Sequence, residues 1–460
     1  MKSFEISPTD ENIKNTLLSD SIGRNEYILH FITLLNAIDG CYSIALDGKW
    51  GSGKTFFVKQ AILALNASND AISNIDETDK RKILDLWKTS KRNRKTELNP
   101  FVSVYYNAWA NDNDIDPVLS IIYEIILCVE SDYSFKKGSG FRSIAAGIAE
   151  MLTGRSAVTL LNALQGEDPL CKIKSNKDLQ ETINNFLESL LVERGNRLII
   201  FIDELDRCKP SYAVKVLERI KHYFPNENIT FVFSVNIDEL QHTIKRFYGE
   251  GFDGNKYLDR FFDMRISLPP VNKHLFYRRL GLDYDRFTFE KICKAIIEFY
   301  HFDLRESSRF YQQTKMAVHQ SVFENRDFSF PEEKALQFCL ICIVPLMIGL
   351  KMHNLSKYNS FILGYDSSPL HEVFNGKNAD HFIFKSLLSG AERFGNLKVG
   401  DEPVVYLKDR LEMVYTALFI QEYSGAIYEK TIGNASFTEE TQKKLFEIVN
   451  LWSNFADFDI

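Results

Sequence analysis

Residues 48–55 run Gly-Lys-Trp-Gly-Ser-Gly-Lys-Thr and match the pattern G-x-x-x-x-G-K-[ST] at every specified position. Tyr42 to Leu46, just upstream, is a short apolar run of strand formers ending at Asp47-Gly48, and a helix is predicted from Gly53 to about Asn66. Strand, glycine-rich loop and helix in that order form the setting in which this pattern cradles phosphate. The glycines let the backbone curl until successive N–H groups point inward, and the helix N-terminus adds partial positive charge. Gly48, Trp50, Gly51, Ser52, Gly53, Lys54, Thr55 and Phe56 are therefore candidate nucleotide contacts. Lys54 is directed at the β- and γ-phosphates, and the Thr55 hydroxyl is a ligand for Mg2+. The alternative is a glycine-rich turn that matches by chance, which requires no partner elsewhere in the chain.

A partner is present. Residues 197–208 read Arg-Leu-Ile-Ile-Phe-Ile-Asp-Glu-Leu-Asp-Arg-Cys. Ile199 to Ile202 predict a buried central strand, and Asp203 emerges at its C-terminal end, where open α/β sheets place their ligands. Asp203 is assigned to Mg2+, through water. Glu204 is the candidate for polarising the attacking water, with Asp206 the other candidate. Alone, Asp203 would read as a helix N-cap after a strand; beside the upstream loop, the two motifs explain each other.

Further strands are predicted at Phe101 to Tyr106, Ile229 to Val235 and Met264 to Leu268, the last closing at Pro269-Pro270. A helix from Ser211 to Phe224 joins two of the strands by short connections, which implies a parallel sheet. The expected fold class is α/β: a P-loop NTPase core over residues 1–270 with a central parallel sheet flanked by helices and a helical insert at about 110–195. An all-α domain follows at 271–460. Residues 68–99 read as polar, and residues 131–176 are the least legible part of the chain.

The net charge of −7 argues against a chain built to coat nucleic acid. Lys88 to Lys95, with Arg92 and Arg94, offers phosphate contacts in principle, but the acidic balance favours a solvated polar insert. Seven scattered cysteines suggest no disulfide framework, and Met1 to Asp10 has no apolar core of a secretion signal, so a cytoplasmic location is expected. Cys339-x-x-Cys342 lies among apolar neighbours and reads as buried structural thiols. Ala335 to Leu350 is uncharged but shorter than the roughly 20 residues of a membrane span, and reads as a buried helix pair with no clear span.

Asp203-Glu-Leu-Asp-Arg-Cys-Lys-Pro210 resembles the signature of the KAP family of P-loop NTPases. Tyr106-Asn-Ala-Trp109 followed by Asp116-Pro117 resembles the family's aromatic segment after the second strand. Tyr257-Leu-Asp-Arg-Phe-Phe-Asp263 followed by Leu268-Pro269 resembles its closing segment, and Asp20 to Tyr27 its adenine-side turn, which places Ile22 at the base. The resemblance covers roughly residues 15–310. It implies the additional-strand P-loop fold, related to AAA+ and STAND ATPases, with ATP and Mg2+ as ligands. No N-K-x-D motif for guanine appears. Many relatives carry transmembrane helices between the two motifs; here Arg142, Glu150 and Arg155 interrupt the apolar stretch 141–166.

The resemblance extends to supporting groups. Asn236 stands where a first sensor would contact the γ-phosphate or the water, and equally where a helix N-cap would stand. Arg260 matches the place of an arginine finger supplied to a neighbouring subunit, against a surface salt bridge with Asp259, Asp263 or Glu250. Arg305, four residues before Arg309, matches a second-sensor helix, against an ordinary salt-bridged helix face. The expected function is an ATP-driven regulatory or assembly switch that self-associates with a shared ATP site and acts through a separate effector protein. Relatives in anti-phage defence suggest that setting. A DNA-stimulated motor and a membrane-associated scaffold are the alternatives.

Overall fold

The computed structural model describes residues 8–132, 180–318, 334–374 and 403–450, apart from 73–74, 90–98, 115, 182, 193–194, 225, 283–287, 421–428 and 434. The chain divides into two compact units, Ser7–Asn272 and one running from Lys273 onward.

The first unit is built on a five-stranded parallel sheet: β1 (Tyr42–Asp47), β2 (Phe101–Asn107), β3 (Arg197–Asp203), β4 (Ile229–Val235) and β5 (Met264–Ser267). Their order is β2-β3-β4-β1-β5. All five predicted strands are present. Its helices are α1 (Asp10–Ser19), α2 (Asn25–Ala37), α3 (Lys54–Ala67), α4 (Glu77–Thr89), α5 (Pro117–Asp132), α6 (183–192), α7 (Pro210–Tyr223), α8 (Ile237–Tyr248) and α9 (Gly254–Leu258). Successive side chains on a strand face opposite sides, and β3 shows what this does in a two-sided core. Ile199 and Phe201 pack with residues of α2, α3 and α4, whereas Leu198, Ile200 and Ile202 pack with α5, α6, α7 and α8. The register sets Asn107 beside Asp203 and Asp203 beside Ser234, so the polar C-terminal ends of β2, β3 and β4 lie level.

Helix α4 arises in the stretch read as polar, for which no element was predicted. Only a narrow stripe of it is apolar, with Ile83 and Trp87 buried one turn apart, and Lys14 of α1 holds Asp79 at 2.7 Å. That stripe needs α1 and α3 beside it to have value, so sequence periodicity alone underrates it. The basic run continues into 90–98, outside the described residues, as do 131–132's continuation from 133 to 176 and the stretch 141–166.

The second unit contains α10 (Lys273–Leu280), α11 (Thr288–Phe299), α12 (Leu304–Val318), α13 (Lys334–His353), α14 (Leu355–Ile362), α15 (Ser368–Val373), α16 (Pro403–Phe419) and α17 (Glu439–Val449). It is not wholly α-helical: β6 (Glu429–Ile432) and β7 (Ala435–Thr438) form an antiparallel hairpin. Gly433 turns it with φ 64°, and the Gly-Asn pair at this point is a known hairpin signal. The expected helix pair at Ala335–Leu350 is instead one helix, α13. Its Cys339–Ile343 segment winds as a π-helix, just before Pro345. Proline has no N–H to donate and crowds the carbonyl four residues back, which such a bulge accommodates. By length and composition α13 could cross a membrane, but 78% of its apolar window is buried within the protein. Cys339 and Cys342 are buried there, as expected of structural thiols.

Phe201 is fully buried in the central strand. Phe201→Ala is expected to destabilise the first unit by about 3–5 kcal/mol, seen as a lower urea midpoint at an unchanged slope.

Candidate functional site

The loop between β1 and α3 is shaped by its glycines. Gly51 and Gly53 have φ of 75° and 86°, a left-handed conformation that side chains resist. A Cβ on Gly48 would come within 3.0 Å of Ser52 Oγ and 3.1 Å of Leu268 Cβ. The Gly48 N–H donates to Val235 O at 3.1 Å, tying the loop to β4. Buried Arg24 donates from Nη1 to Ser52 O at 3.0 Å, and burial pulls its pKa down to about 10. The Lys54 ammonium donates to the carbonyls of Gly48 and Lys49. Burial lowers its pKa, while Asp206 and Asp203 act in the opposite direction.

The acidic end of β3 meets this loop directly. Thr55 Oγ1 donates to Asp203 Oδ2 at 2.7 Å, joining the two residues assigned to Mg2+. Tyr105 OH donates to the same oxygen at 3.0 Å, and Asp203 Oδ1 accepts from the Glu204 N–H at 3.0 Å. Tyr105 was not among the residues expected at the site. It stands in β2 opposite Phe201 and reaches along the shared face to Asp203. Burial, followed by the Asp203 charge, raises its pKa, so the phenol remains a donor.

Glu204 has φ 63°, an uncommon conformation for a side chain of this size, which costs on the order of 1–3 kcal/mol and clusters at functional sites. Its carboxylate pairs with Arg207 Nη1 at 3.0 Å and accepts from Asn107 Nδ2 at 3.4 Å. The Arg207 guanidinium lies over the half-exposed Trp109 ring, 5.4 Å from its centroid. Asp206 is buried in the next turn; its Oδ2 accepts from Trp50 Nε1 at 2.5 Å, and its Oδ1 has no partner among the described residues. Burial raises the Asp206 pKa, opposed by Lys54 and the Trp50 indole.

Asn236 occupies the N-cap position of α8 but makes no capping bond. Asp47 Oδ1 accepts the Ile237 N–H instead, at 3.0 Å, so the capping role falls to the end of β1. Ser234 Oγ, level with Asp203, is buried without a partner among the described residues. Ile22 is buried, with its carbonyl accepting from the Asn272 N–H at 3.1 Å, and Phe56 is half-buried in α3. Arg260 is exposed. Asp259 pairs with Arg265 at 2.6 Å and Asp263 accepts the Ser43 N–H at 2.8 Å, which leaves Arg260 without an ion pair among the described residues. Arg305 belongs to the second unit, at the start of α12, where Asp303 and Glu306 cap one another reciprocally.

These residues suit a nucleoside triphosphate with its divalent cation. A curled loop on a helix N-terminus, a lysine bonded to loop carbonyls, a hydroxyl–carboxylate pair and two buried oxygens without partners among the described residues converge at the C-terminal sheet edge. Removing the Tyr105 hydroxyl takes one of three donors from the buried Asp203. Tyr105→Phe is therefore expected to cost on the order of 1.5–3 kcal/mol, measured by denaturant unfolding in the absence of Mg2+ and nucleotide.

The KAP family P-loop domain matches residues 24–311. This span contains the glycine-rich loop, all five strands of the sheet and the whole acidic segment. No curated protein matches the chain by sequence. With the loop, the strand order and the acidic edge in place, the match over more than half of its length shows that this chain belongs to the KAP family of P-loop NTPases, whose domain binds and hydrolyses nucleotide.

Proposed function

We propose that the chain is a Mg2+-dependent ATPase that works as a regulatory or assembly switch. The observation that carries this reading is the 2.7 Å bond from Thr55 to Asp203, which brings the ends of two distant motifs to one point with Lys54 and Glu204 beside it. Thr55 and Asp203 would hold the cation, which supplies charge neutralisation of the phosphates when bound. Lys54 exchanges its carbonyl partners for phosphate oxygens. Glu204 receives the proton of the attacking water once Arg207 and Asn107 loosen their hold. Asn236, with its side chain free of capping duty, orients that water or the terminal phosphate. Ile22 and Phe56 flank the base.

Arg260, exposed and without an ion pair among the described residues, is suited to complete the site of a second copy. Arg305 is assigned the second-sensor role. The switch acts through a separate effector protein. An anti-phage defence system, in the cytoplasm, is the proposed setting. The burial of α13 favours this over a membrane-bound scaffold, and the acidic balance favours it over a DNA-driven motor.

Lys54→Ala is expected to abolish binding of a fluorescent ATP analogue. Glu204→Gln should bind it normally while turnover falls by about 10²–10⁴-fold, the usual value of a general base; normal turnover would remove Glu204 from that role. Turnover per chain should rise with protein concentration, and Arg260→Ala should flatten that rise and lower the plateau by about 10³-fold or more.

A further inference from the structure

The phosphate loop and the Leu205–Arg207 turn are bonded to each other through the side chains of Trp50 and Asp206. The indole ring is 45% exposed, yet its N–H is turned inward onto a carboxylate that is only 5% exposed. An indole can donate and cannot accept, so the polarity of the bond is unambiguous. Lys54, whose charge acts on Asp206, gives its hydrogen bonds to the carbonyls of Gly48 and Lys49. The other Asp206 oxygen has no partner among the described residues. Backbone N–H groups of Asp206 and Asn236 also favour the carboxylate, but the indole is its one side-chain donor among the described residues, so its loss would weaken the hold on a buried charge and detach the middle of the loop from the turn.

We propose that Trp50 and Asp206 are positioning residues: their bond holds the glycine-rich loop against the turn after β3 in the conformation that receives the triphosphate. Asp206 is thereby assigned to the loop and not to the attacking water. Its bonded oxygen is occupied, and it is more deeply buried than the Glu204 side chain, which is 19% exposed. The inference rests on the nucleotide-binding reading above. Two loop glycines in left-handed conformation make the free loop costly to order. Apparent affinity scales with the fraction of loops already in the competent conformation. A charge-assisted bond of this kind is worth about tenfold or more in that fraction.

The test uses the full chain with Mg2+ and a methylanthraniloyl ATP analogue, comparing wild type, Trp50→Phe, Asp206→Leu, their combination and Asp206→Asn. Turnover is measured at saturating ATP, and thermal unfolding monitors the fold of each variant. Trp50→Phe and Asp206→Leu should each weaken binding about tenfold, and the double variant no further, because both remove one bond. Asp206→Asn keeps an oxygen acceptor for the indole without its charge, and should weaken binding less than Asp206→Leu does, with turnover at saturating ATP no lower than that of Trp50→Phe. Wild-type affinity in Trp50→Phe would overturn the proposal. So would loss of turnover in Asp206→Asn at unchanged affinity, which would make Asp206 the base. A wild-type chain that binds no analogue would instead overturn the nucleotide reading on which the proposal stands.

Discussion

A carboxylate with no exposure, Asp203, is the constraint around which the first unit is arranged. A buried charge costs several kcal/mol unless it is hydrogen-bonded, and Asp203 is bonded from three directions. Thr55 reaches it from the helix after β1, Tyr105 from β2 and the Glu204 N–H from the chain that follows β3. These donors can meet only if β2 lies beside β3 in register and the loop after β1 turns back over the sheet edge. The polar site and the hydrophobic core thus specify the same strand order, which is how a buried charge contributes to a single native arrangement.

The residues that follow Asp203 are held, not loose. Glu204 is in a left-handed conformation and tied to Arg207 and Asn107, while Asp206 is tied to Trp50. Arg207 is itself steadied on the face of Trp109. One short turn therefore links the phosphate loop, the end of β2 and the group proposed to activate water. Movement of any one of them is felt by the other two, since the interior is packed too densely to absorb shifts locally. This coupling is the physical basis on which binding at the loop could alter the readiness of Glu204.

Supporting roles are shared out in ways that free the chemistry-bearing groups. Asp47 caps α8, so Asn236 is not consumed by capping. Asp259 and Asp263 are engaged with Arg265 and the Ser43 N–H, so Arg260 is left unpaired among the described residues. Arg24 satisfies the Ser52 carbonyl, which stiffens the loop. Asp47, Asp263 and Arg24 each meet their partners from a distant part of the chain, whereas Asp259 and Arg265 are near neighbours in sequence.

The division between sequence and structure follows the range of the forces involved. The strands were legible because a buried strand writes itself as a local apolar run, as at Ile199–Ile202. The loop and the Asp203 segment were legible because phosphate binding needs particular residues at fixed local spacing. What remained hidden depended on lateral neighbours. Tyr105 and Asn107 matter only because β2 pairs with β3, and Asp47 caps α8 only because β1 lies next to β4. Trp50 finds Asp206, more than 150 positions away, only after both loops fold over one sheet edge. Helix α4 was obscured by its narrow apolar stripe, and the β6–β7 hairpin by two strands of four residues each. The sequence by itself determined a phosphate-binding α/β protein and its principal charged groups. Tertiary structure alone decided which partners position those groups, because strand order and register are set by packing across the whole sheet and by no local pattern.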